Sequence, residues 1–277
     1  NIFVIPNPSA DFMPRTACSG TVQFSNNSII PYGSIETWEW VVKDANDSII
    51  QTSSETHPFF DFYEAGFYDV SLIATTNNSC VDTIIHDVEI RSNPDVDFTW
   101  DNTCIGDITS FVETTNAPAH HIIMSRYWDF GDNSNSTQPN PIHYFSAPGT
   151  YNVSLYNRSI NGCENTIIKQ VTIHNLPTAD FDHDIACLGS AVQFVDNSSV
   201  VGDSINELIW TFPDRNSTSL LSPYYVFADT GSYEVQLRAI SSKNCKSDTI
   251  KTVMVYPVPY SDFIFSPEYG VPPLEVN

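Results

Sequence analysis

The chain repeats itself at a nearly fixed period, and that limits what it can fold into more than any other feature. The pattern Pro-x-x-Asp-Phe occurs at Pro8–Phe12, Pro94–Phe98, Pro177–Phe181 and Pro259–Phe263, in steps of 86, 83 and 82 residues. A period of this size means a tandem array of small units, not one large enzyme. Other landmarks keep the register. A cysteine follows each of the first three prolines by ten residues (Cys18, Cys104, Cys187), and a second recurs at Cys80, Cys163 and Cys245. One tryptophan falls mid-unit at Trp40, Trp128 and Trp210. A block of invariant internal spacing follows: Pro58/Phe62/Gly66, Pro141/Phe145/Gly149 and Pro223/Phe227/Gly231. It closes on Tyr-x-Val-x-Leu, at Tyr68–Leu72, Tyr151–Leu155 and Tyr233–Leu237. Length varies only between blocks, as loops allow.

These landmarks divide the chain into repeats at 8–91, 92–174 and 175–256. Residues 1–7 read as the last strand of a preceding repeat, because Ile2-Phe-Val4 aligns with Val171-Thr-Ile173. Residues 257–277 read as the start of a further one, so a longer parent protein is expected. No stretch approaches the roughly 18 apolar residues of a membrane span, and this segment is not expected to insert in a membrane.

Local patterns are those of strands. Tyr68, Val70 and Leu72 alternate with polar residues, so they share one face. Asn-Asn-Ser before Cys80, Asn161-Gly162 before Cys163 and Lys-Asn before Cys245 are turn signals that make a hairpin with the strand beyond. No window carries a helical apolar stripe. About 84 residues of short strands suit a seven-strand immunoglobulin-like sandwich, so the fold class is all-β, in tandem. Trp40, Trp128 and Trp210 are expected to fill the core between sheets, the competing role being a sugar-stacking platform. Gly66, Gly149 and Gly231 are expected to allow a positive φ at a tight corner. Tyr68, Tyr151 and Tyr233 are placed for a tyrosine corner, each hydroxyl bonding nearby backbone.

Eleven basic residues against 33 acidic ones give a net charge of −22. That disfavours nucleic acid, whose phosphates need Lys and Arg, and disfavours a basic patch for anionic membranes. The regularly placed cysteine pairs point to an oxidising, extracellular compartment. Spacing leaves two regular pairing schemes. Bridges within repeats (Cys18–Cys80, Cys104–Cys163, Cys187–Cys245) would close loops of about 60 residues, contributing about 4 kcal/mol each by chain entropy. Bridges across linkers (Cys80–Cys104, Cys163–Cys187) would need sulfurs held tens of Å apart to meet, so the first scheme is expected. Free thiols and a metal site are the other readings, though no Cys-x-x-Cys spacing occurs.

Trp128-Asp-Phe-Gly-Asp132, followed by Asn140-Pro141-Ile-His143-Tyr-Phe145 and Gly149-Thr-Tyr151-Asn-Val153-Ser-Leu155, resembles the PKD domain. The other repeats keep the Trp and a terminal Asp (Trp40-Val-Val-Lys-Asp44, Trp210-Thr-Phe-Pro-Asp214) but lose the glycine, so the bend there is expected to differ. The resemblance implies non-catalytic β-sandwiches used outside the cell as spacers or interaction modules. The paired-cysteine variety is similar to arrays in giant surface proteins of Bacteroidota, exported by the type IX system and in some cases serving as gliding adhesins. Partners so implied are other repeats of the same long chain and surface glycans or proteins.

Weaker signals remain. Asp129 and Asp132 are candidate calcium ligands, against the simpler role of satisfying turn N–H groups. No other cofactor is implied. Asp180-Phe-Asp182-His-Asp184 opens like an EF-hand loop, but Ile185 stands where glycine is required. His120-His121 lies in an insertion of the second repeat. Asp-Ser/Thr-Ile triplets make Ser48, Thr83, Ser204 and Thr249 candidate O-glycosylation sites by similarity to the Bacteroidota sequon. Trp38, Trp100, Tyr224 and Tyr260 are candidate exposed aromatics for a rival role as the polysaccharide-binding accessory module of a secreted hydrolase. No nucleophile elbow, phosphate loop or His-Glu-x-x-His pattern occurs. The linkers ending at Pro94, Pro177 and Pro259 are short, and proline makes them semi-rigid and extended. The expected working principle is reach and multiplicity.

Overall fold

The structure, a computed structural model, describes residues 6–101, 103–116 and 122–262. Most of the leading segment 1–7, most of the trailing segment 257–277 and the His120-His121 pair lie outside them. The described residues form strands and no helix.

The first copy runs β1 (Phe12–Met13), β2 (Thr16–Cys18), β3 (Gly20–Gln23), β4 (Ser25–Asn26), β5 (Ile35–Lys43), β6 (Ile49–Ser53), β7 (Phe59–Phe62), β8 (Gly66–Thr76) and β9 (Val81–Arg91). In the second are β10 (Phe98–Trp100), β11 (Thr109–Glu113), β12 (Ile123–Asp129), β13 (Asn135–Ser136), β14 (Ile142–His143), β15 (Gly149–Ser159) and β16 (Glu164–Ile173). The third comprises β17 (Phe181–His183), β18 (Ala186–Cys187), β19 (Ala191–Asp196), β20 (Ile205–Thr211), β21 (Ser217–Thr218), β22 (Tyr224–Val226), β23 (Gly231–Ser241) and β24 (Lys246–Tyr256).

First and third copies build the same larger sheet, in the orders β2-β9-β8-β5-β6 and β18-β24-β23-β20-β21. The second has β13-β12-β15-β16, with a parallel bridge from Cys104 to His174 where the fifth strand stands elsewhere. Smaller sheets face these: β10-β11-β14, β17-β19-β22, and in the first copy the pairs β1-β4 and β3-β7. Alternation on β8 buries Val70, Leu72, Ala74 and Thr76 and leaves the residues between them partly open, as a strand covered on one face must. A register shift recurs near the start of the mid-copy strand, between Ile35/Thr37, Ile123/Ser125 and Ile205/Glu207. Bulges of this kind sharpen local twist.

Each copy has its own aromatic centre. Phe12, Phe24 and Trp40 lie 5.1–6.1 Å apart by ring centroid. Phe98, Phe111 and Trp128 lie 5.0–6.1 Å apart, and Phe181, Phe194 and Trp210 lie 5.1–6.0 Å apart. All nine rings are within 1 % of full burial. By contacts the chain divides into two units. One comprises Asn1–Asn102, Ile108–Tyr144 and Thr150–Val171; the other comprises Thr103–Asp107, Phe145–Gly149 and Thr172–Asn277. Each unit holds one disulfide, Cys18–Cys163 in the first and Cys104–Cys245 in the second.

These bonds overturn the pairing expected from spacing. None of Cys18–Cys80, Cys104–Cys163 and Cys187–Cys245 forms, and Cys80 and Cys187 are unbonded. The reason is the topology of the larger sheet. Cys18 stands in parallel register with Arg91, at the far end of β9, whereas Cys80 immediately precedes the strand at Val81. Eleven residues of strand separate the two levels, about 35 Å at about 3.3 Å per residue, and a bridge needs Cα atoms within about 7 Å. Cys187, opposite Tyr256, is removed from Cys245 by the length of β24 in the same way. The repeats are therefore not internally cross-linked, and the expected loops of about 60 residues do not contribute to their stability.

Candidate functional site

The recurring motifs converge on three structural devices, and only one of them reaches from copy to copy. The first is the core tryptophan. Trp40, Trp128 and Trp210 are fully buried, and each indole donates to a backbone carbonyl: Glu55 at 2.8 Å, Gln138 at 2.9 Å and Leu220 at 2.9 Å. A buried indole N–H needs such a partner. These rings are therefore closed to sugars. The tyrosines serve a neighbouring corner: the Tyr68 hydroxyl donates to Glu64 O at 3.0 Å and that of Tyr233 to Asp229 O at 3.1 Å. Gly149 and Gly231 carry φ of 156° and 141°, but Gly66 adopts no positive φ, which corrects the expectation for the first copy.

The second device explains Pro-x-x-Asp-Phe. In the second copy the Lys169 ammonium lies 2.5 Å from Asp97, donates to Phe98 O at 2.7 Å and stands 5.2 Å above the Phe98 ring. Lys251 repeats this with Asp180 at 2.7 Å and the Phe181 ring at 5.1 Å, and also donates to Phe181 O. His86 takes the same place in the first copy, 3.4 Å from Asp11 and 4.7 Å from the Phe12 ring. Hydrogen bonds from the lysines hold the carboxyls of Asp97 and Asp180 below their ordinary range. The motif thus ties the first strand of each copy to its last. Sequence reasoning did not find the cation, because it lies more than 70 residues downstream and changes from His to Lys.

Asp129 and Asp132 belong to a bend. Asp129 accepts from Gly131 N at 2.9 Å. Asp132 accepts from Ser134 N at 3.1 Å and from the Ser134 hydroxyl, and its second oxygen meets His143 Nε2 at 2.7 Å. Burial pushes the Asp132 carboxyl up, but the hydrogen bonds from Ser134 and His143 outweigh it and hold the group below its ordinary value. Both carboxylates are occupied by protein donors. Among the described residues no group of three or more His, Cys, Asp or Glu side chains gathers as a metal site.

Of the O-glycosylation candidates, Ser48, Thr83 and Ser204 are exposed and Thr249 is half-buried. The aspartate of each triplet has a structural partner. Asp47 pairs with Lys43 at 2.7 Å, Asp82 accepts from Ala10 N at 2.8 Å, and Asp203 accepts from the Ser242 hydroxyl at 2.5 Å. Asp248 pairs with Arg238 at 2.7 Å. Trp38 and Trp100 are half-buried, while Tyr224 and Tyr260 are exposed.

The third device is the cysteine junction. The first cysteine of a copy emerges where a short edge segment lies parallel to the end of the last strand, just before the linker. Cys18 stands opposite Arg91, Cys104 opposite His174 and Cys187 opposite Tyr256. The next residue then donates its N–H to that partner's carbonyl: Ser19 to Arg91 at 2.8 Å, Ile105 to His174 at 2.9 Å and Leu188 to Tyr256 at 2.9 Å. The second cysteine closes a tight turn at the opposite end. Thr76, Ser159 and Ser241 donate N–H to the carbonyls of Cys80, Cys163 and Cys245 at 2.8–2.9 Å. Ser79, Gly162 and Asn244 supply the left-handed residue of that turn, at φ of 61°, 84° and 65°. Within the first unit, Cys18 reaches the turn cysteine of the following copy, Cys163, with Cα atoms 5.5 Å apart. In the second unit Cys104 reaches Cys245 at 5.6 Å. Beside Cys18 lies an open groove of about 560 Å³ lined by Ser19, Gln23, Asn93, Arg158 and Glu164. It is polar, with Arg158 3.9 Å from Glu164.

With this geometry in hand, likenesses to known proteins fall into place. Residues 91–173 and 174–255 each match the PKD domain model. A microbial collagenase of Vibrio alginolyticus is 35 % identical over 72 residues, which is 26 % of this chain and 9 % of the collagenase. The chain thus spans under a tenth of that relative's length. The PKD1 domain of the Vibrio cholerae metalloprotease PrtV is 24 % identical, covering 29 % of this chain and 96 % of its own at a TM-score of 0.27. Three N-terminal domains of the bacteriophage RB49 outer capsid protein Hoc cover 91 % of this chain and 99 % of their own, at 13 % identity and a TM-score of 0.43. Because the two matched segments span well over half of the sequence, the chain belongs to the PKD domain family.

Proposed function

We propose that this chain is a segment of a non-catalytic extracellular repeat array, the stalk or adhesin portion of a long bacterial cell-surface protein. Type IX export and gliding adhesion are the setting that the cysteine-paired repeats fit. On this reading the working modules are 8–91, 92–174 and 175–256, with 1–7 and 257–277 belonging to neighbouring modules. One observation carries the proposal: the disulfides join consecutive copies instead of closing each copy on itself. A cross-link of that kind limits movement at a joint, which benefits an array that must hold something at a distance. The acidic surface suits a solvated extracellular segment. Antibodies against the chain should label intact, unpermeabilised cells of the source organism, and the label should vanish after brief surface proteolysis. A signal confined to the cell interior would refute the reading.

A second reading, an accessory module of a secreted hydrolase, is favoured by the identity with a microbial collagenase. It expects saturable binding of collagen or a polysaccharide by the intact chain, reduced by Tyr224→Ala or Tyr260→Ala. A glycan array and a collagen sedimentation assay, both without retention, would remove it. Glycosylation at Ser48, Thr83, Ser204 or Thr249 should appear as added mass on natively secreted protein.

A further inference from the structure

The two unbonded cysteines are not equivalent to each other. Cys187 occupies the place that Cys18 and Cys104 hold in their copies, and Cys80 the place that Cys163 and Cys245 hold. Both bonded pairs obey one rule, the edge cysteine of one copy joined to the turn cysteine of the following copy, at sequence separations of 145 and 141. Under that rule Cys187 lacks the turn cysteine of a following copy, and Cys80 lacks the edge cysteine of a preceding one.

Two independent observations support treating them as half-bridges. The backbone around each is already in the bonded arrangement. Cys187 keeps its register with Tyr256 and the Leu188-to-Tyr256 hydrogen bond, and Cys80 keeps the tight turn with Thr76 N donating to its carbonyl. Burial then separates bonded from unbonded turn cysteines. Cys163 and Cys245 are 0 % and 1 % exposed, whereas Cys80, in the same turn, is only partly covered. The turn cysteine is thus closed off where it is bonded and partly open where it is not.

We propose that Cys187 and Cys80 are the complementary ends of a continuing disulfide ladder, each binding another repeat that carries the opposite cysteine. The bond forms by thiol–disulfide exchange. A Cys187 thiolate attacks oxidised glutathione and releases one glutathione thiol; the thiolate of the partner's turn cysteine then attacks the mixed disulfide and releases the second. Two thiols are oxidised and one glutathione disulfide is reduced to two thiols. The partner repeat can lie on another molecule or further along one polypeptide, and two arms of a test separate these sources. The rule concerns repeat-to-repeat pairing alone, so its failure would leave the surface-array reading standing.

In the first arm, Cys80→Ser and Cys187→Ser variants of the 277-residue chain are mixed in glutathione redox buffer. Neither substitution touches an existing disulfide, so both variants should melt like the parent. In the second, residues 1–258 are followed directly by residues 8–277 of another copy in one tandem polypeptide. This sets Cys187 and the second Cys80 about as far apart in sequence as the bonded pairs. Non-reducing peptide mapping reads the outcome. A Cys187–Cys80 peptide should exceed Cys187–Cys187 and Cys80–Cys80 peptides by about tenfold or more, because only the complementary ends meet in the bonded geometry and the tether raises their effective concentration. Its appearance in the mixture assigns the ladder to separate molecules, and in the tandem alone to one polypeptide. Glutathione adducts only, or symmetric pairs in equal yield, in both arms would overturn the proposal.

Discussion

The bends that follow Trp128 and Trp210 do the same job with different residues. In the second copy Phe130 N donates to Ser134 O at 3.1 Å, and the Phe130 ring stacks on His143 at 4.2 Å. In the third, Phe212 N donates to Asn216 O at 3.0 Å, and Phe212 stacks on Tyr225 at 4.3 Å. The turn hydrogen bond and the ring stack survive although Gly131 becomes Pro213 and His143 becomes Tyr225. What differs is how the reversal is made. In the second copy the chain turns through Gly131 at φ 78°, where an added Cβ would sit 2.7 Å from Asn152 O. The third has Pro213 at that place; the left-handed step two residues on is common to both bends, at Asn133 (φ 71°) and Arg215 (φ 65°). Packing, not the Trp-Asp-Phe-Gly-Asp spelling, is what the bend preserves.

The largest test of this comparison lies beneath both bends. Trp128→Ala and Trp210→Ala should each destabilise their copy by about 3–5 kcal/mol, since each empties the same three-ring centre. Calorimetry should show one transition shifted and the rest unchanged; strongly unequal losses would break the equivalence. Next comes the glycine. Gly131→Ala should cost about 2–4 kcal/mol, from a disfavoured φ and a backbone clash. Pro213→Ala at the matching place should cost about 1 kcal/mol or less, by freeing the unfolded chain. Denaturation midpoints of the pair settle whether the two bends carry different strain.

Removing Cys18–Cys163 with a double serine variant should cost less than the roughly 5 kcal/mol that chain entropy assigns to a loop of this length, because each copy folds around its own centre. The clearer sign should be a broader distribution of distances between spin labels placed at exposed sites in the first copy and next to Cys163. An unchanged distribution would mean that the disulfide restrains nothing. The smallest effect concerns protons. Asp132 titrates lower folded than unfolded, so its contribution is present above its unfolded value near 3.9 and fades as pH falls through the folded value. Asp132→Asn should therefore lower stability at neutral pH and flatten the acid limb of the second copy's melting curve. A parallel limb in both proteins would show that the His143 contact is incidental.

Much of this is legible in the sequence. Tyr-x-Val-x-Leu gives β8, β15 and β23 their buried face, because a strand covered on one side must alternate. The turn signals before each second cysteine lie where the long hairpins close. The bulge near Ile35, Ile123 and Ile205 left no trace in the spelling, since one extra residue in a strand looks like any other. Nor did the Lys169 and Lys251 contacts to Asp97 and Asp180, which join residues at opposite ends of a copy.

The repeat by itself determined the class of fold and the buried tryptophan of each copy, because periodicity is written residue by residue; the phenylalanines packed around each tryptophan emerge only in the structure. Which cysteine meets which was decided only by tertiary structure. An edge segment parallel to the last strand carries the first cysteine of a copy to the linker end, a strand's length from the second. The pairing expected from the sequence took the two cysteines of a copy to lie close together, but a disulfide responds to distances of a few Å in space, and those follow from the order of strands in the sheet.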